Sequence, residues 1–273
     1  MSDADIDALE ADGTTRGEGE EGFPHGSAAP FVLGAGIFGV FFGFIYPLEW
    51  IVGVPVFVAG LYLWIREYAI EEYERGIVPE QKRQLLGVPS MYLAALFAII
   101  SEALAFGGAF IAWFFLAARR EPFPNLGLPP LHPTFGGLEA LALLIGSAVL
   151  YWTRTGVAAG ERDRLSTGIV VTVLAGLAYL GLTAYDWQTL VANGLTPDAG
   201  AYGGAYYFVS GLHALHVLAG LTLVTIMGYR YWARGHFDQH RMTMVRVTEA
   251  YWHFLTGISI VILLLIYLPT ANP

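Results

Sequence analysis

Three histidines and one glutamate stand inside apolar runs, and their types and spacing suit chemistry within a membrane. His213 and His216 lie three residues apart in YYFVSGLHALHVLAG, so on a helix they share a face about 60° wide. His253 opens the last apolar run in TEAYWHF, and Glu102 sits midway along AIISEALAFGG. An imidazole or carboxyl in hydrocarbon must face protein, water or a ligand, because exposing it to lipid is costly. Two chemistries follow. A transmembrane haem needs two axial ligands from facing helices, and His213 or His216 with His253 could supply such a pair. The same residues beside Ser210 and Gly211 equally suit hydrogen bonding between helices. Glu102 must carry a proton or meet a buried donor, for which a histidine of another helix is the natural partner. It is expected either to join a structural polar network or to handle protons or lipid headgroups. Glu139 and Asp186 fall near the ends of apolar runs and are expected at the membrane interface. His25, His132, His236 and His240 fall in loops without ligand spacing.

Composition says what must hold these side chains. The chain has 273 residues, 55% hydrophobic and only 14% charged, so most of its surface must meet lipid. Cysteine is absent, which excludes iron–sulfur clusters, thioether-bound haem, thiolate copper and disulfides. The sole lysine, Lys82, lies in a loop, so no Schiff base to retinal can form in the last helix. Three histidines at membrane depth are too few for a membrane di-iron or haem–copper catalytic centre. No glycine loop with lysine for phosphate is present, and nothing points to nucleic acid. The first 29 residues hold eight acids and one arginine, with no apolar core of a cleavable signal. They are expected to be disordered, and with the net charge of −9 they hint at a high-salt habitat.

Seven apolar stretches emerge, at about Phe31–Tyr46, Glu49–Trp64, Val88–Ala118, Phe135–Trp152, Leu165–Tyr185, Tyr202–Tyr231 and Val245–Leu268. The expected organisation is an acidic tail (1–29), a two-helix transmembrane hairpin (30–67), a charged linker (68–87), a five-helix bundle (88–268) and a short outer tail (269–273). Of the 14 lysines and arginines, an odd span count with the N-terminus inside leaves only Arg119 and Arg120 outside. The expected fold is therefore an all-α polytopic membrane protein of seven transmembrane helices, N-terminus cytoplasmic and C-terminus outside. Small residues such as Gly34, Gly36, Gly39, Gly107, Gly108, Gly211 and Gly220 are expected to form packing seams between helices.

Four stretches in order then resemble one family, subunit III of the haem–copper terminal oxidases. YGGAYYFVSGLHALHV (Tyr202 to Val217) is similar to its glycine-histidine-x-leucine-histidine-valine signature, and YWHF (Tyr251 to Phe254) to its final-helix motif. Ser101-Glu102 with ALAFGG resembles its third-helix stretch, and GLAYLGLTAYDW resembles the end of its fifth helix. The likeness covers about residues 88 to 268. It departs where Thr256 and Arg246 replace acids, with Glu249 one turn from the latter, and where Thr183 and Asp186 replace a glutamine and a glutamate. Spans one and two carry no clear motif.

The resemblance implies a hairpin and a five-helix bundle separated by a V-shaped cleft filled with phospholipid. It implies a non-catalytic subunit of a proton-pumping cytochrome c oxidase in the plasma membrane, in aerobic electron transport. Such a chain has no catalytic, haem or metal site of its own. Haem and copper belong to the partners, catalytic subunit I and subunit II, which this chain stabilises while supporting proton uptake. The residues carried over are Glu102, His213, His216 and His253 as one buried polar set related to lipid or protons, with Ser101, Asp186 and Glu249 behind them. The alternatives are subunit III of a quinol oxidase and an independent haem-binding membrane cytochrome.

Overall fold

The computed structural model describes residues 28–42, 50–74, 89–119, 123, 127–238 and 241–270. The expected acidic tail lies outside these residues except for its last two positions, as do most of the charged linker and 271–273 of the outer tail. Seven helices follow one another: α1 (Ala29–Phe42), α2 (Trp50–Glu74), α3 (Ser90–Ala117), α4 (Pro133–Ala158), α5 (Arg164–Ala192), α6 (Gly200–Arg234) and α7 (Thr243–Ile262). The last runs on through a π-helical turn, Leu263–Tyr267, into Leu268–Thr270. The chain divides into two compact units between Glu80 and Gln81.

Among the described residues, five helices are long and apolar enough to cross a membrane, α3 to α7, while the apolar parts of α1 and α2 are shorter. The chain is an all-helical, polytopic membrane protein. α2 runs ten residues past the expected end of the second span, to Glu74, so the first part of the expected linker is helical.

In the first unit α1 packs on α2 through glycines. A Cβ added to Gly39 would stand 2.8 Å from the Gly53 backbone, and one on Gly36 or Gly60 would also collide with the facing helix. Between helices in lipid no hydrophobic force acts, so this close approach of backbones supplies the attraction. Gly34, expected in the same seam, faces no atom within 4 Å.

In the second unit α7 is the hub, packed on α3, α4 and α6, and α5 closes the bundle against α4 and α6. Trp252 shows how this is done. Its ring is fully buried beside Gly146, where a Cβ would come within 2.6 Å of Nε1, and its N–H donates to the Leu143 carbonyl of α4 at 3.1 Å. Thr256, one turn on, donates to the same carbonyl at 3.1 Å. A hydroxyl thus joins α7 to α4 where the resemblance led to an acid. Gly220 takes Leu255, whereas Gly107 and Gly108 meet nothing within 4 Å and are not a seam in this structure. Large apolar side chains such as Phe97, Leu104, Ile111, Leu174 and Leu215 point outward, as a lipid-facing surface requires.

At one end of the bundle the α4–α5 and α6–α7 loops lie together. Arg162 reaches across to donate to the Gly235 carbonyl and, at 3.3 Å, to that of His236. Gly235 and Phe237 adopt left-handed backbone conformations in this turn, with φ of 61° and 76°. Glycine takes that conformation freely, whereas Phe237 is held there with its ring buried.

Candidate functional site: three intramembrane polar clusters

The expected single polar set resolves into three separate groups. The first joins α3 to α6. His216 Nε2 lies 2.9 Å from Glu102 Oε2, and His216 Nδ1 lies 2.7 Å from the Leu212 carbonyl one turn back. A carbonyl can only accept, so Nδ1 carries a hydrogen. The Nε2 contact then joins the second ring nitrogen to the carboxyl, so the imidazole bridges its own helix and α3. Such mutual pairing is how ionisable side chains are accommodated among apolar helices. The Glu102 side chain remains 42% exposed and His216 only 15%, so the carboxyl forms the outer edge of the pair.

His213 does share the α6 face of His216, and both rings meet Phe106 of α3 edge to face, at 6.0 and 5.0 Å between centroids. It does not join the pair. His213 is buried between Phe106 and Tyr179, and neither of its ring nitrogens has a hydrogen-bond partner. Ser101 also stays apart, since its hydroxyl faces outward and donates to the Ala98 carbonyl at 2.8 Å. Three-residue spacing fixed the shared face but could not show which imidazole reaches across to α3.

The second group runs along the α4–α7 seam. Arg154 Nε sits 2.5 Å from Glu249 Oε2, Glu249 Oε1 lies 3.5 Å from His253 Nε2, and His253 Nδ1 meets the Ser147 hydroxyl. Ser147 and Arg154 are seven apart on α4, and Glu249 and His253 four apart on α7, so each helix presents its pair on one face. Arg154 was expected in the loop beyond the fourth span, and Ser147 was not singled out. The fourth helix continues to Ala158, which carries Arg154 into the seam. In this arrangement His216 engages polar partners through both ring nitrogens, and His253 hydrogen-bonds through Nδ1 while its Nε2 faces the Glu249 carboxyl.

The third group corrects an expectation. Asp186 and Glu139, expected at the interface, are 0% and 5% exposed. The reason is the lateral packing of α4 and α5, which carries both carboxyls inward. Asp186 Oδ2 accepts from the Tyr206 hydroxyl at 2.7 Å and the Tyr267 hydroxyl at 2.8 Å. The two tyrosines reach it from α6 and from the π-helical turn after α7.

Comparison with known proteins agrees with this architecture. A family model described as cytochrome c oxidase subunit III matches residues 29–270, including the hairpin in which no motif stood out. The chain belongs to the cytochrome c oxidase subunit III family. Among its relatives, the cytochrome c oxidase subunit 3 of Thermostichus vulcanus is 29% identical over 180 residues, covering 65% of this chain and 87% of that one. The subunit 3 of Oryctolagus cuniculus is 26% identical over 254 residues, covering 89% and 91%. A heme-copper oxidase subunit I+III of Aeropyrum pernix is 27% identical over 259 residues, covering 89% of this chain and 31% of that longer protein. Family membership accounts for the recurrence of Ser101-Glu102, the two histidines of α6 and YWHF in order.

Proposed function

We propose that this chain is the non-catalytic subunit III of a proton-pumping haem–copper oxidase of the cytochrome c type, working in aerobic electron transport in the plasma membrane. It packs on subunits I and II, which carry the haem and copper, and it stabilises subunit I. The Aeropyrum pernix relative, whose name joins subunit I to III, supports that pairing. All seven helices span the membrane, with the N-terminus cytoplasmic, and the chain binds phospholipid. Glu102 with His216, and His253 with Glu249, are the polar contacts that relate to lipid or protons, with His213 and Asp186 buried beside them and Ser101 on the outer face.

The observation that carries this reading is the Glu102–His216 contact. It sets an ionisable pair on a partly exposed edge of α3, where a headgroup, water or a neighbouring subunit can reach it. Glu102→Gln should leave the haem and copper content of the complex unchanged while slowing proton uptake or reducing retained lipid. Loss of haem in that variant would count against the reading. Purification through a tag on this chain, with mass spectrometry of its companions, should bring down subunits I and II. Bound haem in the isolated chain that disappears on His213→Ala would favour a cytochrome instead.

A further inference from the structure

The Asp186 group has more hydrogen-bonding capacity than the chain satisfies. Asp186 Oδ1, Glu139 Oε1 and Thr183 Oγ1 are all buried and none makes a well-aligned hydrogen bond to protein, although the Thr183 hydroxyl lies close enough to Glu139 and to Tyr179 to interact with either. They converge because α4 and α5 are tightly paired. Thr183 and Asp186 are one turn apart on α5, and the Glu139 carboxyl of α4 sits beside Thr183 and within electrostatic range of Asp186. The floor is Tyr267, whose ring lies against Gly136 one turn before Glu139. That tyrosine closes a π-helical turn, which adds a residue to the helical repeat, and such turns recur at functional sites.

Two carboxyls in a low-dielectric interior cannot both ionise without a cation to balance them. Among the described residues neither has an ion-pair partner. The titratable groups facing them are His132 at the start of α4, Tyr179 on α5, Tyr202, Tyr206 and Tyr207 on α6, and Tyr267. Of these only His132 can carry positive charge. Tyr206 and Tyr267 both donate to Asp186 Oδ2, an arrangement that suits the anion there and leaves the acid form to Glu139. Unpaired buried oxygens of this kind are ordinarily met by enclosed water.

We propose that Glu139, Thr183 and Asp186 form an internal proton-binding site, in which enclosed water links the two carboxyls and a single exchangeable proton is held between them. The site is distinct from the Glu102–His216 pair, which lies on α3 and α6. Glu139 would carry the proton at rest and Asp186, braced by two tyrosines, would receive it. A bound metal cation is the competing occupant, and it would ionise both carboxyls.

The test is infrared difference spectroscopy on the membrane assembly purified with this chain, whatever its companions, so its outcome is independent of their identity. Wild type minus Glu139→Gln should show loss of one protonated-carboxyl carbonyl band at neutral pH, and that band should shift in deuterium oxide. Wild type minus Asp186→Asn should shift the same band. Tyr267→Phe, which leaves the carboxyls in place, should shift it too without abolishing it. Absence of any protonated-carboxyl band attributable to Glu139 or Asp186 would overturn the proposal. So would carboxylate bands at this site that move when sodium or calcium is removed.

Discussion

At the level of single residues, the two histidines of α6 separate by environment despite their shared face. His216 finds Glu102 and a backbone carbonyl, whereas His213 is enclosed by Phe106 and Tyr179. If the Glu102–His216 contact is a single proton-sharing unit, its effects should be non-additive. Glu102→Gln, His216→Gln and the double variant should give a coupling of about 1–2 kcal/mol in thermal unfolding of the solubilised complex. Additive losses would show that the two side chains act separately. His236 offers a residue outside the spans. Its partial burial, and then the charges of Arg230, Arg241 and Arg234, hold its imidazole below the usual histidine value. A folded value below the unfolded one of about 6.5 means the loop contributes stability above that pH and loses it as acid forces a charge onto the ring. Nuclear magnetic resonance of a labelled His236 should show a depressed midpoint that rises in Arg230→Gln.

At the level of helices, α7 does most of the joining. It lays Trp252 and Thr256 on the Leu143 carbonyl and aligns Glu249 and His253 with Arg154 and Ser147. Glu249 is largely buried while Arg154 keeps partial exposure, so removal of the acid strands a cation at the seam. Glu249→Ala should destabilise the chain by about 3 kcal/mol, somewhat less where solvent or headgroups reach Arg154. The double variant Glu249→Leu with Arg154→Leu should recover much of the loss, as measured by the midpoint of thermal inactivation. Equal losses in single and double variants would mean that shape, not charge, matters at this seam. The seam was half legible in the sequence. His253 stands out as an imidazole in an apolar run and Glu249 through the family resemblance, but Arg154 lies beyond the last apolar residue of its run and reads as a loop arginine until the helix is seen to continue.

At the level of the whole molecule, the joined α4–α5 and α6–α7 loops lie on one side of the bundle, as an alternating path of helices requires. The charge bias predicts that this side is cytoplasmic. Because the chain has no cysteine, single cysteines can report the orientation directly. Ala118→Cys should react with a membrane-impermeant thiol reagent added to intact cells, and Gly160→Cys only after the membrane is opened. The reverse pattern would invert the topology.

Length and hydropathy sufficed to write the membrane class and the helix order, because lipid imposes its rule on each segment separately: an apolar run must be a helix wherever it packs. The family was legible separately, in short motifs that resemble it. The hairpin glycines Gly36 and Gly39 were legible for the same local reason. Which polar side chains meet depended on rotation and lateral packing of the helices. That packing drew Glu139 and Asp186 inward from apparent interface positions, and set Ser147 against His253, 106 residues away along the chain. Spacing along one helix defines a face, but the partner of that face comes from a different helix, and only the packed bundle brings the two together.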